Sequence, residues 1–139
     1  MDDKEQAKFQ QKLYLYQILV EQQKLFTQQL VAVEQAIEES ITTEEVIRDL
    51  EKKESKEILA SLGKDCFIKV GLKDQGKVIV DLGAGVLANK TLKEALGILE
   101  SRRKELEKNI GELEKRMENV SRQIEKLEPD MQKILGSKD

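Results

Sequence analysis

The amino-acid sequence predicts a mainly α-helical α+β protein, in which two long helices form an antiparallel coiled coil with two small β-hairpins at the turn. Both terminal parts of the 139-residue chain carry apolar residues at alternating spacings of three and four, the period of a coiled coil. The segment between them has the apolar period of two that β-strands show. We therefore expect one domain (1–139), with an N-terminal helix (1–41), a middle assembly region (42–91) and a C-terminal helix (92–139).

The N-terminal helix has a periodic apolar stripe. Its positions are Phe9, Lys12, Tyr16, Leu19, Gln23, Phe26, Leu30, Val33 and Ile37. Seven of these nine residues are apolar or aromatic, and Leu13 and Val20 widen the stripe on one side. The pattern predicts a helix over residues 3–41 that packs against the second long helix. The alternative is that each long helix pairs with a helix of another chain.

The middle region begins with a predicted helix start and continues with four predicted strands. Thr42 and Glu45 have the spacing of a capping box, which predicts a short helix that ends near Leu50. Apolar stretches then predict strands, in two hairpins, at residues 58–62, 66–72, 77–82 and 86–88. Residues 73–76 have the composition of a hairpin turn, and residues 83–85 that of a bulge or tight turn.

The predicted strands lead us to expect that the protein oligomerises. Hairpins are stable only when further strands or a helix cover an apolar face, and open strand edges recruit other strands. We expect the apolar strand residues to mediate this assembly, namely Ile68, Val70, Val78 and Val80. Cys66 alternates with Ile68 and Val70, so we expect it to point inward as a small apolar residue.

The C-terminal helix has the most regular stripe. It runs through Leu92, Leu96, Leu99, Arg103, Leu106, Ile110, Leu113, Met117, Val120, Ile124, Leu127, Met131 and Ile134. Thr91 and Glu94 form a capping box that predicts its start. Pro129 predicts that the helix ends or bends there, with Glu128 displaced from helical geometry. Arg103 alone interrupts the apolar stripe, and we expect its stem to cross the interface, its guanidinium to reach solvent, and the residue to help fix the register.

Composition argues against several classes of function. The chain has no histidine and one cysteine, so we expect neither an enzyme nor a metal or cofactor site. Its net charge is -3, with the charges interspersed, which is unlike the cationic stripe of a nucleic-acid binder. No apolar run approaches the length of a membrane span, and the first residues lack a signal-peptide pattern. We therefore expect a cytoplasmic protein that binds other proteins.

The order helix, two β-hairpins, helix resembles the prefoldin family. The resemblance is to the α-class subunits, which carry two hairpins where β-class subunits carry one. It is carried by residues 67–70, by the stretch Val-Ile-Val-Asp-Leu-Gly-Ala-Gly-Val at 78–86, and by Lys-Thr-Leu-Lys-Glu-Ala at 90–95. The last two stretches are fairly specific to the family, whereas the heptads alone are not.

The resemblance implies an ATP-independent holdase chaperone of the archaeal or eukaryotic cytosol. It implies that the hairpins assemble into an inter-subunit β-barrel with β-class subunits, usually as a hetero-hexamer from which the coiled coils project. The tips of the coiled coils, formed by both chain termini, would capture non-native polypeptides and deliver them to a group II chaperonin.

Six apolar residues near the two ends are the predicted client-binding residues. They are Phe9, Leu13, Tyr16, Met131, Ile134 and Leu135. Residues near helix ends lose coiled-coil partners, and a modest exposed apolar patch suits the weak capture of unfolded chains. Methionine adds adaptability, because its flexible side chain tolerates varied partners. The alternative is that these residues only complete the coiled coil.

Two other functions stay open. The chain could be a structural protein that self-assembles through its hairpins into a homo-oligomer or filament. Two hairpins give each subunit two edges, so head-to-tail addition need not close into a ring. It could also be a coiled-coil adaptor for one dedicated folded partner.

Overall fold

The computed structural model describes residues 2–52, 57–74 and 76–136 of the chain. Six elements follow one another: helix α1 (Asp3–Lys52), strands β1 (Glu57–Gly63), β2 (Cys66–Gly71), β3 (Lys77–Asp81) and β4 (Leu87–Thr91), and helix α2 (Leu92–Gly136). This order confirms the predicted fold class of two long helices with two small antiparallel hairpins between them. The chain divides into two compact units, which we call the coiled-coil unit (residues 2–36 and 106–136) and the hairpin unit (the described residues within 37–105).

In the coiled-coil unit, α1 and α2 run antiparallel. Lys12 Nζ lies 3.3 Å from Asp130 Oδ2, and the Gln23 amide donates to Ser121 Oγ at 3.1 Å. As the residue numbers of the contacting positions increase along α1, those of their partners on α2 decrease. The core of the unit contains the buried residues Leu19, Val120, Ile124 and Leu127, with Tyr16, Val20, Phe26 and Met131 packed against them. Every position of both predicted stripes is buried or half-buried, which confirms the two seams.

α1 continues without a break to Lys52, so the prediction of a separate short helix at Thr42 is wrong. The Thr42 hydroxyl donates to the Glu38 carbonyl oxygen at 3.0 Å, and the Thr43 hydroxyl donates to the Glu39 carbonyl oxygen at 2.9 Å. These hydroxyls bond back to the preceding turn, as threonines inside a helix do, and neither caps a new helix. No glycine or proline occurs within α1 to interrupt it.

α2 extends through Pro129 to Gly136. The helix therefore does not end at Pro129, and Glu128 lies inside it, so these two expectations are wrong. A bend at Pro129 stays a prediction. A proline within a helix removes one backbone donor and crowds the preceding turn. Leu127 and Met131, on either side of Pro129, belong to the packed cluster of the coiled-coil unit. We attribute the continuation to this packing, which offsets the missing hydrogen bond.

In the hairpin unit, β1 pairs with β2 and β3 pairs with β4, in two separate antiparallel sheets. The two predicted hairpins are thus confirmed, but the hairpin turn predicted at residues 73–76 is wrong. The described part of that segment, which excludes Gln75, connects β2 to β3. Gly76 holds this connector to the start of α2, because its carbonyl oxygen accepts a hydrogen bond from the Leu92 amide at 3.2 Å. Strand β2 pairs with β1 across the shorter turn at Lys64 and Asp65.

The β3–β4 hairpin closes through the predicted tight turn. Gly83, Ala84 and Gly85 have φ values of 114°, 52° and 76°, so all three residues have left-handed geometry. The amide of Leu82 donates to the Val86 carbonyl oxygen at 2.7 Å. β4 begins one residue later and ends three residues later than the strand predicted at residues 86–88. Its polar C-terminal residues continue the pairing with β3, where Lys90 lies opposite Val78.

The core of the hairpin unit joins β3 to both helices. Its buried residues are Ile47, Val80, Leu92 and Ala95, with Leu50, Val78, Leu96, Ile98 and Leu99 packed against them. The start of α2 beside this core has the predicted capping box. The Glu94 amide donates to Thr91 Oγ1 at 3.1 Å, and the Thr91 amide donates to Glu94 Oε1 at 3.4 Å. This reciprocal pair ends β4 and begins α2 within one residue.

Cys66 does not point into a core as predicted; it is exposed. It lies at the turn end of the β1–β2 hairpin, opposite Gly63 in the ladder. Most of β2 is exposed, and only Val70 is half-buried. An alternating pattern indicates which residues share a face of a strand, but it does not establish that another element covers that face.

Candidate functional site

The exposed apolar residues of the hairpins form the first candidate interaction surface. Leu59 and Phe67 share one face of the β1–β2 hairpin, and Ile79 and Leu87 share one face of the β3–β4 hairpin. Each of the four side chains keeps more than 60% of its surface exposed. In both hairpins the two residues are diagonal neighbours across the strands, so each pair makes a small continuous apolar patch. We call these four residues the hairpin patches.

The four residues predicted to mediate oligomerisation lie in different surroundings. Ile68 is exposed, and Val70 is half-buried on the same face of β2. Val78 and Val80 face the helices of their own chain, where Val80 is buried to 7% exposure and Val78 packs against the same cluster. The opposite face of β3 carries Ile79, which is 71% exposed. Their role in assembly stays a prediction.

The hairpins also present backbone edges. Each described sheet has two strands, so each strand has one edge that its hairpin partner does not occupy. The amide and carbonyl groups along such an edge can pair with a strand of another chain. The combination of an edge and an apolar patch on each hairpin is suited to strand addition.

The predicted client-binding residues are mostly half-buried. Phe9, Leu13, Tyr16, Met131 and Ile134 are half-buried, and Leu135 is exposed to 46%. Tyr16 and Met131 pack against the core of the coiled-coil unit, and the Tyr16 hydroxyl donates to Glu128 Oε1 at 3.3 Å. These side chains therefore take part in the coiled coil and also retain accessible surface. Their role in client binding stays a prediction.

Sequence reasoning missed a second apolar face on α1. Among residues 2–36 the exposed large apolar side chains are Tyr14, Leu15, Ile18, Leu25 and Val31. A groove on this face, which we call the outer groove, is lined by Tyr14, Gln17, Ile18, Glu21, Gln22 and Leu25. The signal in the sequence is a second set of α1 positions at spacings of three and four, distinct from the positions of the seam.

Charged residues bind the two helices together within the hairpin unit. Glu44 is buried, at 1% exposure, and it accepts hydrogen bonds from Arg103 Nε at 2.9 and 3.3 Å. Arg48 Nη2 donates to Glu100 Oε1 at 2.9 Å. The Arg103 guanidinium thus binds a buried carboxylate of the other helix, and the Arg103 side chain keeps 22% of its surface exposed. That the guanidinium reaches solvent stays a prediction. The pairing joins one position of α1 to one of α2, which fits the expected role in register.

The remaining chemistry is sparse. Thr91 donates hydrogen bonds from its hydroxyl and its amide to Glu94, and these hold the pKa of Glu94 below the ordinary value of 4.5. The described residues contain no cluster of three or more histidine, cysteine, aspartate or glutamate side chains arranged to hold a metal ion. No helix among the described residues is long and apolar enough to cross a membrane.

Comparison with known proteins identifies the family. The sequence matches the prefoldin subunit family over residues 19–137. It is 34% identical over 94 residues to prefoldin subunit alpha of Pyrococcus horikoshii, covering 66% of this chain and 64% of that protein. It is 32% identical over 100 residues to prefoldin subunit alpha of Methanobrevibacter smithii, covering 72% of this chain and 68% of that protein.

The fold is shared with a solved assembly. A cryo-EM structure of filamentous PFD from Methanocaldococcus jannaschii superposes with a TM-score of 0.71 at 18% identity, covering 81% of this chain and 93% of that chain. The chain spans just under two thirds of the length of the Pyrococcus horikoshii relative. Since the family match covers most of the sequence and the fold agrees, the chain belongs to the prefoldin family, within which it is similar to alpha-type subunits.

Proposed function

We propose that this chain is a chaperone subunit that assembles through its hairpins and holds non-native polypeptides on its helices without ATP. The observation that carries the proposal is the exposed apolar surface of the two hairpins. Family membership supports the chaperone class. The proposal includes a cytoplasmic location and delivery of the held polypeptide to a group II chaperonin, as the family resemblance implies.

The hairpin patches support assembly on energetic grounds. An isolated two-stranded hairpin is marginally stable in water, and each hairpin here leaves at least one apolar pair exposed. Fully burying one large apolar side chain contributes about 1.5–3 kcal/mol, so covering four of them supplies a substantial driving force. We infer that strands of neighbouring subunits, of the β-class or of a second copy, cover the patches and pair with the open edges in an inter-subunit barrel.

Client capture is assigned to the accessible apolar residues of the helices, including the predicted tip residue Leu135. Half-buried side chains such as Leu13 and Met131 offer apolar surface without leaving the coiled coil. Small patches of this kind bind weakly, which suits a chaperone that must release its client.

Assembly can be tested with the solution mass of the purified chain, alone and mixed with a β-class prefoldin subunit, measured by light scattering. We expect a discrete mixed oligomer with the parent chain and its loss with the double variant Phe67→Ser/Ile79→Ser. Val46→Ser is the matched control, because Val46 is a similarly apolar, exposed residue on α1. Circular dichroism confirms that each variant is folded. Equal assembly of the double variant and the control would exclude the hairpin patches as the interface.

Client holding can be tested by the aggregation of a denatured test enzyme in the absence of ATP. We expect the assembled parent protein to suppress light scattering by the enzyme. The variant Leu13→Gln/Leu135→Gln should suppress it less, and Val46→Gln should act like the parent. If the tip variant keeps full activity, client binding does not depend on these residues.

A second candidate function is a self-assembling homo-oligomer or filament. The shared fold with filamentous PFD from Methanocaldococcus jannaschii favours it. Two hairpins per chain also permit head-to-tail addition that does not close. In the light-scattering experiment, a mass that grows with the concentration of the chain alone would favour this function over the mixed chaperone.

A further inference from the structure

The outer groove lies on a second set of positions at coiled-coil spacing on α1, which we call the second stripe, and Tyr14, Ile18 and Leu25 are its large apolar residues. Positions at alternating spacings of four and three run through Ala7, Gln11, Tyr14, Ile18, Glu21, Leu25, Gln28 and Ala32. The two remaining exposed apolar residues, Leu15 and Val31, occupy positions that flank this stripe. All the exposed large apolar side chains among residues 2–36 therefore lie on or beside it. The seam that α1 shares with α2 uses a different set of positions.

The period of this stripe indicates what kind of partner fits it. A stripe at 3.5-residue spacing stays in register with a partner only when that partner is a helix that winds around α1. An extended polypeptide presents its side chains with a period of two, so it would match the stripe only locally. The spacing therefore favours an α-helix as the occupant, packed with Ile18 and Leu25 at the centre of the contact.

The charged residues beside and within the stripe indicate which charges the partner helix should carry. The charged residues at the positions that flank the stripe are Lys8 and Lys24, and both are exposed. Flanking charges in coiled coils select partners of the opposite sign. Glu21 is the charged residue of the groove lining, so a polar or cationic side chain should face it. The complementary helix has carboxylates along the edges of an apolar stripe and one polar position within it.

We propose that the outer groove binds an amphipathic α-helix of a partner protein, with carboxylates flanking the apolar stripe of that helix. This inference goes beyond the proposed function, because it assigns the exposed face of α1 to a structured helical partner. It does not depend on the hairpin patches, which belong to the other compact unit of the chain.

The test uses the full chain and three synthetic peptides of equal length, with binding measured by fluorescence anisotropy. The first peptide has leucine at the seam positions of three heptads, one central glutamine in the seam, and glutamate at every flanking position. The second has lysine in place of the glutamates. The third has the composition of the first, rearranged so that apolar and polar residues alternate. Like charges on the flanks keep the first two peptides from pairing with themselves.

We expect the chain to bind the acidic helical peptide more tightly than the basic or the alternating one. Ile18→Gln/Leu25→Gln should weaken this binding by about tenfold or more, because two central apolar contacts are lost. Val46→Gln, an equally exposed apolar residue outside the groove, is the control and should bind like the parent. Lys8→Glu/Lys24→Glu should shift the preference toward the basic peptide by about fivefold to tenfold, with Lys126→Glu as its control.

Several outcomes would overturn the inference. They are undetectable binding of the acidic helical peptide, equal binding of the alternating peptide, and equal binding by the Ile18→Gln/Leu25→Gln variant. If that variant instead abolishes self-association of the chain in light scattering, the face is an interface between copies, and the proposed partner is wrong. The peptide-binding results do not bear on assembly, which is tested separately with the variant Phe67→Ser/Ile79→Ser, so failure here is distinguishable from failure of the proposed function.

Discussion

Removal of one partner from the Glu44–Arg103 pair should strongly destabilise the chain, whereas replacement of both by leucine should not. Glu44 has 1% of its side-chain surface exposed and Arg103 has 22%. The Glu44 carboxylate also accepts a hydrogen bond from Ser40 Oγ at 3.2 Å, and Arg48 Nη2 lies 3.8 Å from it. A single substitution leaves a charge in this site without its main partner.

The expected loss of unfolding free energy depends on how deeply the pair is buried and on which other groups contact Glu44. Breaking a buried ion pair by removing one side costs about 3–5 kcal/mol. Since Arg103 keeps some contact with water, and since Ser40 and Arg48 stay beside Glu44, we expect about 2–4 kcal/mol for Glu44→Leu or for Arg103→Leu. The double variant removes both charges from the site and should lie within about 1 kcal/mol of the parent.

The assay is urea and thermal unfolding followed by far-UV circular dichroism. All chains are compared at one concentration, because self-association makes the midpoint depend on concentration. A loss of about 3 kcal/mol should lower the midpoint by roughly 10 °C for a chain of this size. Glu118→Leu is the matched control: Glu118 pairs with Arg122 on the exposed surface of α2, and its loss should cost less than about 1 kcal/mol.

Two results would refute the reasoning. If the double variant is as unstable as the sum of the two single variants, Glu44 and Arg103 are not coupled. If each single variant costs no more than Glu118→Leu, the site is as well solvated as the surface, and Glu44 does not fix the register of the helices.

Three further predictions concern the ends and faces of the elements. Val80→Ala should destabilise the chain by about 2 kcal/mol in urea unfolding because it leaves a cavity, whereas Ile79→Ala should change stability by less than about 0.5 kcal/mol and weaken assembly in light scattering. The pKa of Glu94 is lowered in the folded chain, so its stabilising contribution is present above pH 4.5 and is lost as the pH falls through the lowered pKa. In Glu94→Gln, the unfolding midpoint should therefore fall less steeply than in the parent as the pH is lowered below 4.5. An equally steep fall in both proteins would contradict this. Pro129→Ala should raise the thermal midpoint, with a gain of up to about 3 kcal/mol from restored helix propensity, and a lower midpoint would mean that Pro129 itself makes a stabilising contact.

The long-range periodicity of the sequence predicted the fold well, because a seam of 3.5-residue spacing is compatible with few structures. Leu113, Val120 and Ile124 are buried as their spacing requires. The local signals were less reliable. Thr42 resembles a helix cap and Pro129 a helix stop, yet both lie inside continuous helices. Each local preference amounts to about 1–3 kcal/mol, which packing along a whole seam can exceed.

The strands and the candidate site were predictable only in part. The period of two placed Val78 and Val80 on one face of β3 correctly, but it could not show that the helices of the same chain cover that face. Cys66 shows the converse, because it lies on an alternating face that is exposed. The outer groove was not predicted, because polar residues such as Gln11, Glu21 and Gln28 interrupt the second stripe in the sequence.

The two helices use their apolar residues differently, and this difference bears on where function lies. Among the described residues up to position 134, α2 keeps its large apolar side chains within the seam or the hairpin core, where they are buried or half-buried. α1 satisfies the same seam and also exposes residues such as Tyr14 and Leu25. Exposed apolar surface on a helix reduces solubility, and the binding of a partner helix, as proposed above, would give this surface a role. Substitutions on the outer face of α1 should therefore change binding with little effect on folding, whereas substitutions along α2 should act first on stability.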